Sequence, residues 1–164
     1  MRADKILLIE LKMEAQFMEN KGVILNKFET IEKCINRINE EYDGDCKNLK
    51  DYRKMDMILL NLQRACEAVL DLALYVVSTR KLGLPQTKRE AFIILEESGI
   101  IDKTMSRNMQ GMVGFRNIAV HDYKEIDEEI LKDVIENHLG DLLDFARVLL
   151  NKKFSNFNYC NYNN

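Results

Sequence analysis

Apolar residues in the first forty positions recur at steps of three and four, which is the spacing of one face of an α-helix. Between residues 4 and 19 this spacing predicts a first helix, and Gly22 is expected to end or break it. From Val23 to Tyr42 the apolar positions form the clearest amphipathic stripe of the chain. Its members are Ile24, Phe28, Ile31, Ile35, Ile38 and Tyr42.

A long helix is predicted from about Asp51 to Lys81, and Gly83 and Pro85 are expected to stop it, the glycine as a left-handed cap. Residues 87–90 (Thr-Lys-Arg-Glu) have the pattern of a capping box, which predicts a short helix that ends at residues 98–99. These signals divide the middle of the chain into one long and one short helix.

Asp102 is a plausible N-cap for a helix from Lys103 to near Ile118, and Asp127 for the last helix, where His138 is expected to be a core or interface histidine. Short connections between long amphipathic helices predict an all-α antiparallel bundle of four to five helices. We divide the chain into an N-terminal helical extension (1–22), the bundle (23–154) and a disordered Asn-rich tail (155–164).

The composition agrees with a soluble helical protein. Seven glycines and one proline are too few for a turn-rich β-sandwich, and 46% hydrophobic residues are too many for a disordered chain. The net charge of −3 predicts no broad attraction to nucleic acid or anionic lipid. No apolar run approaches the roughly 18 residues of a membrane span, and the N-terminus lacks the features of a secretory signal. The expected location is the cytoplasm, away from membranes.

The four cysteines, Cys34, Cys46, Cys66 and Cys160, are scattered without a C-x-x-C pair or a nearby pair of histidines. This spacing argues against a disulfide framework and against a metal site. Cys34 and Cys66 lie on apolar helical faces and are expected to be buried free thiols. We expect no metal and no cofactor.

One position does not fit a simple bundle. Met105, Met109 and Met112 fall on one stripe of their helix, and Arg116 continues it. An arginine there must be ion-paired, reach solvent or face a cleft, because burying an unpaired guanidinium is costly. A structural ion pair with one of the 27 acidic residues is as consistent with this pattern as a functional role.

Asn117, His121, Asp122 and Tyr123 follow within eight residues of Arg116. Residues five apart on a continuous helix point about 140° away from each other, so Arg116 and His121 would not converge. They can share a site if the helix ends or deforms between them, or if a second protomer completes the site. The pattern therefore predicts a helix end near Ala119 and favours a homodimer.

Residues 116–123 (Arg-Asn-Ile-Ala-Val-His-Asp-Tyr) resemble the Arg-Asn-x-x-x-His-x-Tyr signature of HEPN-domain toxins of the HepT type. Residues 62–71 resemble that family's long second helix, and residues 89–95 its short helix before a Gly-Ile turn. Residues 112–115 lead into the arginine as in the family pattern. The resemblance covers about Val23 to Phe154 and leaves the first twenty residues outside.

The resemblance implies a metal-independent endoribonuclease site in a cleft between two protomers of a homodimer. RNA supplies its own nucleophile, the 2′-OH, so the protein needs only proton transfer and charge stabilisation. His121 would act as general acid or base, and Arg116 would bind the non-bridging phosphate oxygens. Asn117 would orient the phosphate or the histidine. Two copies would supply two histidines, as separate acid and base.

The resemblance also implies a partner, a small nucleotidyltransferase antitoxin that transfers AMP onto Tyr123. An added phosphate beside Arg116 would block RNA. The competing hypothesis is a non-enzymatic helical dimer that binds a nucleotide or a partner protein. An open cleft lined by Arg116 and His121 would favour the enzyme, whereas an Arg116 sealed in an ion pair would favour the binder.

Overall fold

The computed structural model describes residues 2–121 and 126–151, and all regular elements in those ranges are helical. They are α1 (Arg2–Tyr42), a 3₁₀ turn (Cys46–Lys50), α2 (Tyr52–Thr79), α3 (Glu90–Glu97), α4 (Lys103–His121), α5 (Glu128–Asp133), a π-helical turn (Val134–His138) and α6 (Leu139–Asn151). The last three follow one another without a break. The predicted all-α bundle is confirmed, and no helix of the described ranges is long and apolar enough to cross a membrane.

The first two predicted helices are one. α1 runs from Arg2 to Tyr42, so the expectation that Gly22 ends or breaks a helix is wrong. An isolated glycine costs a helix only about 1 kcal/mol relative to alanine. The bundle holds the helix in line on both sides of the glycine, since Ile24 is buried and Asn20 accepts a 2.5 Å hydrogen bond from the Tyr75 hydroxyl. The division at residue 22 stays a prediction, and the tail lies outside the described residues.

The predicted N-caps are confirmed. The Glu90 amide donates to Thr87 Oγ1 and the Thr87 amide donates to Glu90 Oε2, both at 3.3 Å, which is the reciprocal geometry of a capping box. Asp102 accepts from the Met105 amide at 2.8 Å, and Asp127 accepts from the Glu129 amide at 2.8 Å. Each carboxylate satisfies an amide that the first turn of a helix leaves without an intrahelical partner.

α2 ends at Thr79, two residues before the predicted end at Lys81, and the residue that caps it is not the expected glycine. Lys81, and not Gly83, adopts the left-handed conformation that closes the helix, with φ of 53°. The Leu82 amide then donates to the Val77 carbonyl at 3.0 Å, as in a Schellman motif. Lysine can adopt this conformation at a modest energetic cost. Its residue type therefore gave no indication that Lys81 would cap the helix.

The core draws buried aliphatic side chains from every long helix, and Phe92 of α3 meets Phe145 of α6 edge-on at 5.7 Å between ring centroids. α1 and α2 pack antiparallel along most of the bundle. Two contacts set their register, because the Lys27 ammonium lies 2.6 Å from the Asp71 carboxylate and Asn20 contacts Tyr75.

The expectation that His138 is a core histidine is wrong, and its place at an interface stays a prediction. Its side chain is 42% exposed and lies 3.2 Å from Asp141 and 3.5 Å from Asp133. The π-helical turn that ends at His138 adds a residue to one turn, which rotates later positions away from the face that a regular α-helix would give them.

Candidate active site

The methionine stripe of α4 faces the core as predicted. Met109 and Met112 are buried and Met105 is partly buried against the core. Arg116 lies one turn beyond Met112 on the same side of the helix and reaches Glu67 of α2. The predicted conflict between an apolar stripe and a guanidinium is thus resolved by an ion pair across two helices.

The ion pair of Arg116 with Glu67 is accessible from solvent. The Arg116 side chain is 19% exposed and the Glu67 side chain 45%. Gln63, one turn earlier on α2, donates to Glu67 Oε1 at 3.2 Å. This hydrogen bond and the Arg116 guanidinium hold the pKa of the Glu67 carboxyl below its ordinary value, against the opposing effect of partial burial. A charged carboxylate and guanidinium therefore face each other where α2 and α4 meet.

Sequence reasoning missed Glu67 and Gln63. Glu67 is 49 positions from Arg116, and two other acids on α2, Asp56 and Asp71, give the same signal in the sequence. Only the packing of α2 against α4 selects it.

Cys66 precedes Glu67 on α2 and is buried in the core. Its thiol is buried and lies 3.8 Å from the Met112 carbonyl oxygen. Burial raises the pKa of this thiol to about 12, so it is neutral and unreactive at physiological pH. Cys34 is also buried, and the prediction of buried free thiols at both positions is confirmed.

Asn117 and His121 lie in the last part of α4, whose backbone stays helical to His121, two residues past the predicted end near Ala119. The prediction that the helix ends or deforms between Arg116 and His121 is therefore wrong for this chain. The two positions differ by about 140° around the helix axis. Nothing is described of the side chains of Asn117 and His121, and Tyr123 lies outside the described residues. Their roles stay predictions, as does the homodimer.

A polar cavity of about 570 Å³ opens between α1 and α2, and Arg64, one turn before Glu67, lines it. Lys33 and Arg37 of α1 add two more cations, and Glu40 is the carboxylate of the lining. The whole lining is Thr30, Lys33, Cys34, Asn36, Arg37, Glu40, Asn61 and Arg64. Burial raises the pKa of the Cys34 thiol, and the positive charges of Arg64 and Arg37 oppose that rise. The cavity is thus locally cationic in a chain whose net charge is −3.

Comparison with known families identifies the family of this helical bundle. The family described as "Ribonuclease HepT-like" matches residues 31–149, which include the long helix α2, the Arg116–Glu67 ion pair and His121. The chain belongs to the HepT-like ribonuclease family. The prediction of family and of a HEPN-type fold is confirmed, and the prediction of a ribonuclease is confirmed at the level of the family.

Relatives of the HepT-like chain match it over nearly their whole length. The mRNA nuclease HepT of Shewanella oneidensis is 40% identical over 127 residues, covering 77% of this chain and 96% of that protein. A solved toxin–antitoxin complex with AMP-PNP is 41% identical with a TM-score of 0.74, covering 78% of this chain and 97% of its own. A tri-AMPylated Shewanella oneidensis HEPN toxin in complex with MNT antitoxin is 42% identical with a TM-score of 0.73, covering 77% and 96%.

The Glu67 carboxyl predicts an acid-sensitive contribution to the stability of this HepT-like bundle. Because its folded pKa is depressed, the ionised carboxylate stabilises the fold above its ordinary pKa of 4.5, and this contribution is lost as the pH falls further. Urea unfolding at pH 7 and at about pH 3.5 should therefore show a larger loss for the wild type than for Glu67→Gln. Glu97→Gln, at the exposed end of α3, should behave as the wild type does. Equal losses in Glu67→Gln and the wild type would contradict the prediction.

Proposed function

We propose that this chain is the toxin of a toxin–antitoxin pair and that it cleaves RNA without a metal ion, through Arg116 and His121. The observation that carries the proposal is the guanidinium of Arg116, which is mostly buried and paired with Glu67 but still accessible to solvent, five positions before a histidine in the HepT-like region. The names of the relatives, an mRNA nuclease and a HEPN toxin bound to an MNT antitoxin, support the activity and the partner.

The chemistry needs one phosphate, one cation and groups that move protons. A base removes the proton of the RNA 2′-OH, whose oxygen attacks the adjacent phosphorus. The 5′-oxygen then leaves with a proton from an acid, and a 2′,3′-cyclic phosphate remains. A histidine titrates near neutral pH and suits either proton transfer. The Arg116 guanidinium can donate two hydrogen bonds to the non-bridging oxygens as negative charge grows there. In this role it exchanges the Glu67 carboxylate for a phosphate, and Asn117 would orient the phosphate or the histidine.

The helical backbone from Arg116 to His121 supports a site shared by two chains. On one straight α4 the two positions lie about 140° apart, too far around the axis to face one phosphate. A two-fold axis beside α4 would let Arg116 of one protomer and His121 of the other meet in one cleft. We therefore place two active sites across a homodimer interface, each with Arg116 of one protomer and one His121 of the other, in place of a single cleft that holds both histidines.

Mixing two inactive variants tests the shared site. Arg116→Ala and His121→Ala should each be inactive alone. A mixed dimer keeps Arg116 on one chain and His121 on the other, so one of its two clefts is complete. Unfolding and refolding the variants together should restore up to about a quarter of the wild-type rate of RNA cleavage, since half of the dimers are mixed. A mixture as inactive as its components would contradict a shared site.

The cationic cavity between α1 and α2 supplies phosphate contacts that the net charge does not predict. Arg64 is one helical turn from Glu67, so a strand bound at Arg116 can continue toward Arg64, Lys33 and Arg37. Phosphate contacts release counterions from RNA, and each steepens the salt dependence of binding by about 0.7 for a single strand.

We expect Arg37→Gln/Arg64→Gln to weaken RNA binding and to lower the slope of log K against log salt by about 1.4, which corresponds to two lost phosphate contacts. Fluorescence anisotropy with His121→Ala as a non-cleaving background measures both quantities. Lys50→Gln/Arg53→Gln removes the same charge near the start of α2, outside the cavity, and should leave the slope unchanged. Equal slopes for the two double variants would contradict the proposal that RNA phosphates contact the cavity.

Tyr123 is proposed as the site of control. A nucleotidyltransferase antitoxin would transfer AMP from ATP to the phenol oxygen and release pyrophosphate. The new phosphodiester would lie two positions beyond His121 and compete with RNA for Arg116. The description of a relative as a tri-AMPylated HEPN toxin with an MNT antitoxin supports this form of control.

The ion pair of Arg116 with Glu67 is also the observation that would favour a non-enzymatic binding protein. A guanidinium permanently sealed by a carboxylate could not bind RNA. The 19% exposure of Arg116 and 45% exposure of Glu67 favour an exchangeable pair instead. The absence of any His121-dependent cleavage would leave the binding protein as the better proposal.

A further inference from the structure

The first part of α1 extends beyond the HepT-like bundle. The family match begins at residue 31, whereas α1 begins at Arg2. The register set by Asn20–Tyr75 and Lys27–Asp71 places Thr79, the last residue of α2, level with about residue 17 of α1. From Ile6 to Glu19, each position whose side chain is described is exposed. This segment is therefore a rod that reaches about 20 Å beyond the end of α2.

The rod carries an apolar stripe that faces away from the bundle. Its spacing alternates between three and four residues, as at the a and d positions of a coiled coil. The outer stripe consists of Leu8, Leu11, Ala15, Met18, Gly22 and Leu25, all exposed. On the helix it lies about 180° from Asn20, Ile24 and Ile31, which pack on the bundle. A second helix could lie along it without meeting the body of its own chain.

We infer that the outer stripe pairs antiparallel with the outer stripe of a second copy of this chain. When Ala15 faces Met18 of the second copy, each of the other four positions also faces a stripe residue of that copy. Each such facing pair forms one layer of the contact. Leu8 then meets Leu25 and Leu11 meets Gly22, so that two of the three kinds of layer combine a large with a small residue. Such complementarity fills the space between two helices evenly.

The charges beside the stripe favour the same orientation. The a positions of the stripe are Leu8, Ala15 and Gly22, and its d positions are Leu11, Met18 and Leu25. Lys12 and Glu19 follow d positions, and Glu14 and Lys21 precede a positions. In the antiparallel alignment Lys12 lies next to Glu19 of the second copy, and Glu14 lies next to Lys21. Two-fold symmetry repeats both pairs, which gives four attractive contacts. A parallel pair in register would instead place Glu14 against Glu19 and would stack Gly22 on Gly22, with repulsion and a void.

The rod is already helical as a continuation of a packed helix, so pairing does not require the costly nucleation of an isolated short helix. The stripe is separate from α2 and α4, and the inference does not depend on RNA cleavage. Because the stripe lies outside the proposed active site, the antiparallel contact would join whole HepT-like units, whatever their own oligomeric state.

Light scattering of the full chain tests the contact. Leu11→Glu/Met18→Glu places four like charges within the paired stripe, and Ile9→Glu/Met13→Glu adds the same charge on the opposite side of the rod. Leu11 is 55% exposed and Ile9 is 50% exposed, so neither change disturbs the bundle core. Over a series from about 1 to about 100 µM protein, the wild type and the Ile9/Met13 variant should reach at least twice the mass of the Leu11/Met18 variant. Equal masses for all three would overturn the inference.

Cysteine cross-linking tests the orientation, in a background with Cys46→Ser and Cys160→Ser to remove the exposed native thiol and the tail cysteine. Leu8→Cys and Leu25→Cys variants should cross-link to each other when mixed, but neither should cross-link to itself. In the antiparallel pair, two copies of residue 8 are about 25 Å apart, since 17 residues separate the levels of positions 8 and 25. Cross-links within each variant alone, or none in the mixture, would overturn the antiparallel pairing.

Discussion

Replacing His121 with alanine is expected to lower the rate of RNA cleavage by at least about a hundredfold, because proton transfer by a positioned side chain contributes about that much or more. Arg116→Ala should cause a comparable loss by removing the cation at the phosphate. Arg116→Lys keeps the charge but loses the planar pair of donors, and should recover only part of the rate. The readout is cleavage of a labelled RNA, with EDTA present throughout.

The design separates catalysis from folding and from metal dependence. His138→Ala removes the partly exposed histidine beside Asp133 and Asp141 and should cleave at the wild-type rate. His121→Ala should keep the wild-type helical circular dichroism. Full activity of His121→Ala, or loss of wild-type activity in EDTA, would contradict the proposed mechanism.

Mixing the chain with a nucleotidyltransferase antitoxin, ATP and Mg²⁺ is expected to add AMP to Tyr123 and to abolish cleavage. In the proposed mechanism the phosphate of the adduct would bring negative charge to the neighbourhood of Arg116 and would compete there with RNA. Tyr123→Phe keeps the ring and removes the acceptor oxygen. This variant should cleave RNA but escape modification, and should therefore inhibit growth when the antitoxin is co-expressed.

Intact-mass measurement and peptide mapping locate the adduct. Tyr159→Phe, in the tail, is the matched control and should be modified and neutralised like the wild type. AMP on Tyr159 with Tyr123 unmodified would remove Tyr123 from the proposal and would leave the ribonuclease proposal unaffected.

Local signals in the sequence predict local structure well in this chain. The caps at Thr87, Asp102 and Asp127 were predictable because each involves a side chain and an amide two or three positions away. The placement of Arg116 in the methionine stripe was predictable for the same reason, since helical periodicity is a property of neighbours.

The features that were missed depend on energies that local patterns do not contain. Gly22 was expected to interrupt α1, but contacts of Asn20 and Ile24 with the bundle outweigh the low helix propensity of one glycine. Regular helical periodicity predicts a core position for His138, but a π-helical turn shifts the faces of the helix at this point. Such a turn has no simple sequence signature, so the shift could not be predicted. The pairing of Glu67 with Arg116 could not be predicted, because it depends on how α2 packs against α4.

In the proposed RNA-binding role of Arg116, its contact with Glu67 would also set a threshold on ligand size. In the resting chain the carboxylate neutralises the guanidinium, so a single phosphate must displace it with the energy of one contact. A polymer would gain further contacts along the cationic cavity in the same binding event, as linked ligands do. The resting ion pair would therefore discriminate against the mononucleotides of the cell and favour strands several nucleotides long.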